Sequence, residues 1–408
     1  MEVIADLQIH SKYSRATSKD LSLENLEKYA RIKGVNLLGT GDFQHPLHRK
    51  DIDKYLKEDK NGILWTKNGF PFIWQTEVSL MFSQGGKRRA VHLLIFSPNT
   101  KTAEEITKFL GGKGRLDYDG RPIFGMSCIE LVKGLKNIDD MIEIIAAHAF
   151  TPWFGLYGSD SGFDSIQECF QDQTDKIYAI ESGMSADPSM IWRLKEKINI
   201  VSFSDLHSFW PWRLGREATI FDLKELSYEN IIKAIRTGNG LKSTIETPPE
   251  YGKFHFDGHR LCKFSCSPKE TKGLKGICPK CNKPLTLGVD YRIEELAKEK
   301  RDYKSDDAKP FFKLLPLHEL ISFVKKSGIA TKKVWNVYTP LIEKFGNEFN
   351  ILLNVKRNDL MEFLKEEKLV DLIINNREGK LRVKPGFDGE YGVLDFSPNR
   401  RQAALDQF

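Results

Sequence analysis

Eight imidazole and carboxylate side chains run in order along the first half of the chain: His10, Asp42, Glu77, His92, His148, Glu181, Asp205 and His207. These two types are the usual ligands of divalent ions such as zinc, manganese and magnesium. Several come in pairs two residues apart. In the run Asp6-Leu-Gln-Ile-His10, Gln8 and His10 face one side of a strand, because strand side chains alternate with period two. Asp205 and His207 do the same in Ser204-Asp-Leu-His207. One strand thus offers two ligands to one point, the arrangement of a multinuclear metal hydrolase.

The cysteines supply a second chemistry. Cys128 and Cys169 stand alone and read as core thiols. Cys262, Cys266, Cys278 and Cys281 are clustered, with gaps of three and two residues inside the pairs. In a reducing compartment such a quartet predicts one structural, tetrahedral zinc rather than two disulfides. Pro268, Gly273, Gly276 and Pro279 suit the tight turns that such ligands need. His255 and His259 are reserve ligands, read first as surface residues.

Positioning these groups requires a framework. Residues 1–245 alternate strand-like and helix-like segments. Strands are expected from Ile4, at Asn36 to Thr40, Phe72 to Glu77, Val91 to Phe96, Ile142 to Ala147, Ile177 to Ile180, Ile198 to Phe203 and Ala218 to Phe221. Ser22 is placed to N-cap a helix carrying Leu23, Leu26 and Ala30 on one face, and Gly34 ends it. Ser227 does the same for a helix running to Gly238, and another helix is expected over Pro188 to Lys197. Repeated βα units imply parallel strands and either a barrel or a doubly wound sheet. The candidate ligands lie at strand C-termini, where βα barrels build their active sites, so a barrel is the better fit.

A turn-rich linker, Thr247-Pro-Pro-Glu-Tyr-Gly, closes this unit. The zinc module is expected over 253–305, with its cysteines within about 253–290; a charged, solvated helix from Glu294 to Lys309 follows the cysteines, and a helical DNA-binding region is expected over 310–400. With 408 residues and a net charge of +6, the chain suits two or three soluble domains and tolerates nucleic acid as a partner. No signal peptide is evident, and no apolar run approaches the roughly 20 residues that span a bilayer. The expected location is cytoplasmic and the expected state a monomer.

The ordered motifs resemble those of the PHP (polymerase and histidinol phosphatase) superfamily of metal-dependent hydrolases. Asp6-Leu-Gln-Ile-His-Ser, Gly41-Asp42, Glu77, His92, His148 and Ser204-Asp-Leu-His207 carry the likeness across 1–240. It implies a distorted (β/α)7 barrel with two or three divalent ions, bridged by Glu77. Two departures stand out. Gln8 replaces the first histidine of the superfamily's His-x-His. Phe43 replaces a histidine after Asp42, and His45 is the candidate substitute; His48 is read as a surface residue.

A narrower resemblance is to endonuclease Q, which joins such a barrel to a four-cysteine zinc module and a C-terminal helical region. Thr40-Gly-Asp-Phe-Gln-His-Pro, His148-Ala-Phe-Thr-Pro-Trp-Phe-Gly and Ser161-Gly-Phe-Asp-Ser support it. It implies a repair nuclease cutting single- or double-stranded DNA 5′ to uracil, hypoxanthine, xanthine or abasic sites. Catalysis would then fall to Glu77, Asp205 and His207. An extruded base needs a pocket, with Trp153, Phe154, Tyr157, Ser182, Trp212 and Arg213 as candidate walls. Lys263, Lys269, Lys272, Lys275, Lys280 and Lys283 form a candidate phosphate-binding face. The last residues carry Gln402, Leu405 and Phe408 at the spacing of a peptide for the sliding clamp PCNA. Competing expectations are a phosphoesterase of small monoesters and a DNA-binding scaffold with a degenerate metal site, the latter motivated by Gln8.

Overall fold

The computed structural model describes residues 1–395, so the candidate clamp peptide lies outside the described residues. Local signals form as expected in the first unit. The Ser22 side chain accepts from the Asn25 amide at the start of the helix Leu23–Lys33, and Gly34, at φ 95°, ends it. Ser227 caps the helix Tyr228–Thr237 in the same way. Both helices bury their apolar stripes against the sheet, as amphipathic periodicity requires.

The sheet curls into a half-barrel with helices on its outside. Along it the strands run Asn199–Val201, Ala179–Glu181, Glu143–Ala146, Lys87–Ser97, Pro71–Gln84, Leu37–Gly39, Glu2–Asp6, Ala218–Asp222, Leu241–Glu246 and Phe311–Lys313. It is mixed, not all-parallel. The long hairpin of Pro71–Gln84 with Lys87–Ser97 is antiparallel, as are the pairs that Ala218–Asp222 makes on both sides. Gly85 and Gly86, both at positive φ, allow the tight hairpin turn that a crossover helix would otherwise replace. At one end the two arms of the sheet meet: His10 N donates to Leu206 O and Leu206 N to Gln8 O, each at 3.1 Å. The two ligand-pair segments are therefore direct neighbours.

Several expectations need correction. The helix expected over Pro188 to Lys197 stops at Trp192. The charged stretch from Glu294 to Lys309 is helical only to Leu296, where the helix Val289–Leu296 ends. Phe311–Lys313, assigned from sequence to the C-terminal region, pairs in parallel with Leu241–Glu246 and completes the barrel sheet. After it come the helices Leu317–Lys325, Lys332–Phe345, Glu348–Leu353, Arg357–Leu364 and Glu367–Arg377, then a ribbon of Val383–Lys384 with Val393–Leu394.

The helical region is fastened to the barrel by buried polar and aromatic contacts. Lys33 Nζ bonds Glu348 at 2.6 Å and Pro211 O at 2.8 Å, and Tyr338 donates to Glu348 at 2.8 Å. Trp212 stacks on Trp210 and packs against His318 and Trp335. Among the described residues, no helix is long and apolar enough to cross a membrane.

Candidate metal centre

The closed end of the half-barrel gathers the predicted ligands into two groups of donor atoms. His10, Asp205 and His207 form one; Glu77, His92 and His148 form the other, with donor atoms within 4.8 Å of one another in each. Glu77 joins them. Its Oε2 lies 3.0 Å from His10 Nε2, and its Oε1 lies 2.7 Å from His92 Nδ1 and 3.4 Å from His148 Nε2. His10 Nε2 also faces Asp205 Oδ1 at 3.3 Å. Glu77 has the geometry of a bridging carboxylate.

The backbone bends sharply to present these groups. Asp42, His148 and Asp205 adopt φ of 38°, 31° and 48°, a region that side chains other than glycine seldom occupy. Such strain persists where surrounding structure enforces it and clusters at functional sites. Asp6 enforces part of it. Its buried carboxylate accepts from Ser204 N and Gly215 N, both at 2.9 Å, tying the first strand to the turn that carries Asp205. Burial pushes the Asp6 carboxyl up to about 6.

Other predicted ligands stand behind these two groups. Asp42 has both oxygens engaged, by His10 Nδ1 at 3.1 Å, Ser11 N at 2.6 Å and Ser14 Oγ at 2.8 Å, and so orients His10. Glu181 accepts from His148 N at 2.6 Å and keeps its other oxygen unpartnered. Gln8 donates to Glu77 Oε2 at 3.1 Å, leaving its own Oε1 free. His45, the candidate substitute for the missing histidine, stacks on the Tyr13 ring at 4.8 Å and lies outside both groups. His48 is buried, not at the surface, and pairs with Thr40 O at 2.9 Å.

Residues and metal fit each other. Gln8 Oε1 and Glu181 Oε1 are buried without a hydrogen bond. Orphaned polar atoms are costly in a protein interior, and shared cations satisfy them. The electrostatics agree. Burial alone would lower the His10 imidazole, yet Asp42, Asp205 and Glu77 hold it well above its usual range. The site is a concentration of negative charge.

A cavity of about 310 Å³ opens onto the centre. His92, His148 and Asp205 line its floor, and Trp153, Phe154 and Met184 line its walls. Of the six residues expected as walls, Trp153 and Phe154 line this cavity. Tyr157 is buried and stacks on Phe150 at 4.9 Å, and Ser182 is buried with its hydroxyl on Glu246 at 2.8 Å. Trp212 belongs to the aromatic seam with the C-terminal helices, and Arg213 is not among the lining residues. Arg121 was missed. It lines the cavity and reaches Glu77 Oε1 at 3.4 Å. Nothing in its sequence neighbourhood marks it, because a lone arginine in a loop has no periodic signature.

In the cysteine module a histidine lies among the sulfur donors. The donor atoms that converge belong to His259, Cys262, Cys278 and Cys281. His259 Nδ1 lies 3.2 Å from Cys281 Sγ, whereas Cys266 Sγ is buried against Thr271 Oγ1 at 3.2 Å. His259 sits three positions before Cys262, the same interval that separates Cys278 from Cys281. That repeated interval is the mark His259 carries in the sequence. His255 is buried, stacked on Phe256, and outside the group.

The whole architecture has a solved counterpart. The lesion-specific endonuclease PfuEndoQ from Pyrococcus furiosus superposes with a TM-score of 0.87 at 32% identity, over 100% of this chain and 99% of that one. The chain belongs to the endonuclease Q family. A second endonuclease Q structure, in complex with a 27-mer duplex carrying an abasic lesion at the active site, matches with a TM-score of 0.86 at 32% identity, over 97% of each chain. Residues 316–380 match the MJ0043 C-terminal domain family. MJ0043 of Methanocaldococcus jannaschii is 34% identical over 311 residues, 72% of this chain, which thereby spans 37% of that protein's length.

Proposed function

We propose that the protein is a metal-dependent DNA repair endonuclease that cuts the phosphodiester 5′ to a deaminated base or abasic site. The observation that carries this is Glu77, one carboxylate spanning two donor groups next to a cavity of about 310 Å³ lined by His92, His148 and Asp205. Divalent ions, when bound, supply an acidified water and positive charge for the phosphoryl oxygens. The chain's own residues do the rest. Asp42 holds His10 in one orientation, Glu181 and Asp6 fix the turns bearing His148 and Asp205, and Asp205 is placed to receive the proton of the attacking water. Water oxygen bonds phosphorus as the bond from phosphorus to the upstream O3′ breaks, leaving a 3′-hydroxyl and a 5′-phosphate.

Several surfaces suit DNA. Trp153, 41% exposed, stands at the cavity rim against Phe254, where a base can stack. Lys263, Lys269, Lys272, Lys275, Lys280 and Lys283 are all exposed on the module, and phosphate contacts of this kind make binding fall with salt. His259, Cys262, Cys278 and Cys281 hold the structural zinc. The tail residues Gln402, Leu405 and Phe408 dock a sliding clamp of the PCNA type, as their spacing suggests. A second reading, a DNA-binding scaffold, is favoured by Gln8 at a ligand position.

End-labelled duplexes with one uracil, hypoxanthine or abasic site decide the matter. Nicking 5′ to the lesion, dependent on added divalent ion, supports the proposal. Base release without strand scission, or tight binding without nicking in any metal, overturns it.

A further inference from the structure

Two arginines border the cavity, and they are not equivalent. Arg216 is committed: its Nε and Nη2 donate to Ser204 O at 3.0 and 2.8 Å, bracing the turn before Asp205. The Arg121 guanidinium makes one long contact, 3.4 Å to Glu77 Oε1, and its side chain keeps 28% exposure to the cavity. Most of its five donors are therefore free. Its backbone is the opposite of free. Gly120 N donates to Tyr13 O at 3.2 Å, Gln44 donates to Gly120 O at 2.5 Å, Arg121 N donates to Asp119 at 3.1 Å, and Ser79 N donates to Pro122 O at 3.0 Å. Gly120 itself presses on the centre, for a Cβ there would lie 2.2 Å from Asp42 Oδ2. A clamped backbone that presents an uncommitted guanidinium beside the bridging carboxylate is a preorganised anion site. A substrate that enters this cavity brings one obligatory anion, the phosphodiester to be cut, and the planar fork of arginine matches two of its oxygens.

We infer that Arg121 grips the non-bridging oxygens of the scissile phosphate and holds it against the metal centre. This rests on the endonuclease reading above. Its contact with Glu77 keeps the guanidinium aimed into the cavity before DNA arrives. The role is distinct from metal binding, since an arginine cannot serve as a ligand at neutral pH.

Two experiments test it with the full chain. First, Arg121→Ala is compared with the native protein in single-turnover nicking of a uracil duplex. The expected loss is about 100-fold, the scale of removing one donor to a developing anion, with metal content unchanged. Added guanidinium ion restores at least about tenfold of that loss, and Arg121→Lys is intermediate. Second, binding is measured without turnover in an Asp205→Asn background. Replacing the phosphodiester 5′ to the uracil by an uncharged methylphosphonate weakens binding by about tenfold when Arg121 is present, and leaves it unchanged in the Asp205→Asn, Arg121→Ala double variant, as a coupled pair requires. Arg121→Ala nicking within threefold of native, or a methylphosphonate penalty that survives the loss of Arg121, overturns the inference alone. A native chain that neither nicks nor binds lesion duplex overturns it together with the reading on which it rests.

Discussion

The barrel mouth and the cysteine module each bring metal-type donors together, on very different foundations. At the mouth, Glu77 and His92 project from the middle of the long hairpin Pro71–Gln84/Lys87–Ser97, while His10 and Asp205 come from segments that follow other strands, and the sheet beneath them is packed with fully buried Leu7, Ile73, Leu94 and Val201. In the module, His259, Cys262, Cys278 and Cys281 come from one short stretch over a small core in which Cys266, Cys278 and Leu285 are buried and Phe264 and Leu274 pack against them half-buried. The first site is built by the fold and would survive loss of its ions. The second is a segment too poor in apolar surface to hold itself, so metal binding and local folding are one event there. Function and structure thus use metals for opposite purposes within one chain.

The sharpest way to break that comparison is Asp205→Asn. It removes a charged donor at the mouth without removing volume. Nicking is expected to fall by about 10³-fold, on the scale of losing a principal electrostatic group, while calorimetry places Tm within about 3 °C of native. A large drop in Tm would mean that the mouth, like the module, depends on its ligands for folding.

The module should respond in the reverse sense. Cys278→Ser and His259→Ala are expected to release about one zinc per chain and expose residues 253–290 to proteolysis, with the barrel fragment intact. Cys266→Ser should keep its zinc, because that thiol is engaged by Thr271. Elemental analysis of the three variants separates the ligand set with His259 from the one with four cysteines.

A smaller effect concerns the seam between barrel and C-terminal helices. His318 is fully buried in a cage of Trp212, Trp335 and Tyr338, with both ring nitrogens unpartnered. Burial, helped by nearby Lys33, lowers its imidazole to about 3. The unfolded chain binds a proton near pH 6.5 and the folded chain does not. The stability from this group is therefore present in full above about pH 6.5 and lost as the pH falls toward 3, with a slope approaching about 1.4 kcal/mol per pH unit. Denaturant titrations from pH 7 to 5 should show that slope, and His318→Phe should flatten it.

The smallest expected change is at Gln8. Gln8→His replaces an amide that donates to Glu77 by an imidazole facing the same way as His10. Metal occupancy should rise and nicking increase a few-fold, read by elemental analysis and initial rates. An unchanged metal content would place Gln8 outside the coordination sphere.

Part of the chemistry of this protein was legible from its sequence, because its nine histidines are scarce and fall in a recognisable order. His10, Asp205 and His207 could be named from residue type and the period-two spacing of strands, and Glu77, His92 and His148 from the resemblance of the ordered motifs to the PHP superfamily. Capping serines and terminal glycines marked two helices for equally local reasons. What spacing could not decide was which atoms meet. Asp42 is a neighbour of His10 in space, and only the packed turns show that its oxygens are already taken. Cys266 fits a cysteine pattern, yet pairing of its strand with Asp257–His259 sets it on Thr271 and brings His259 forward instead. Arg121 carries no sequence signal, because its importance comes from a loop pressed on Asp42 by distant partners. Local pattern determines which residues can bind and where the chain can turn. Long-range packing alone determines which of those side chains share a point in space, because contact between residues a hundred positions apart is a property of the closed sheet.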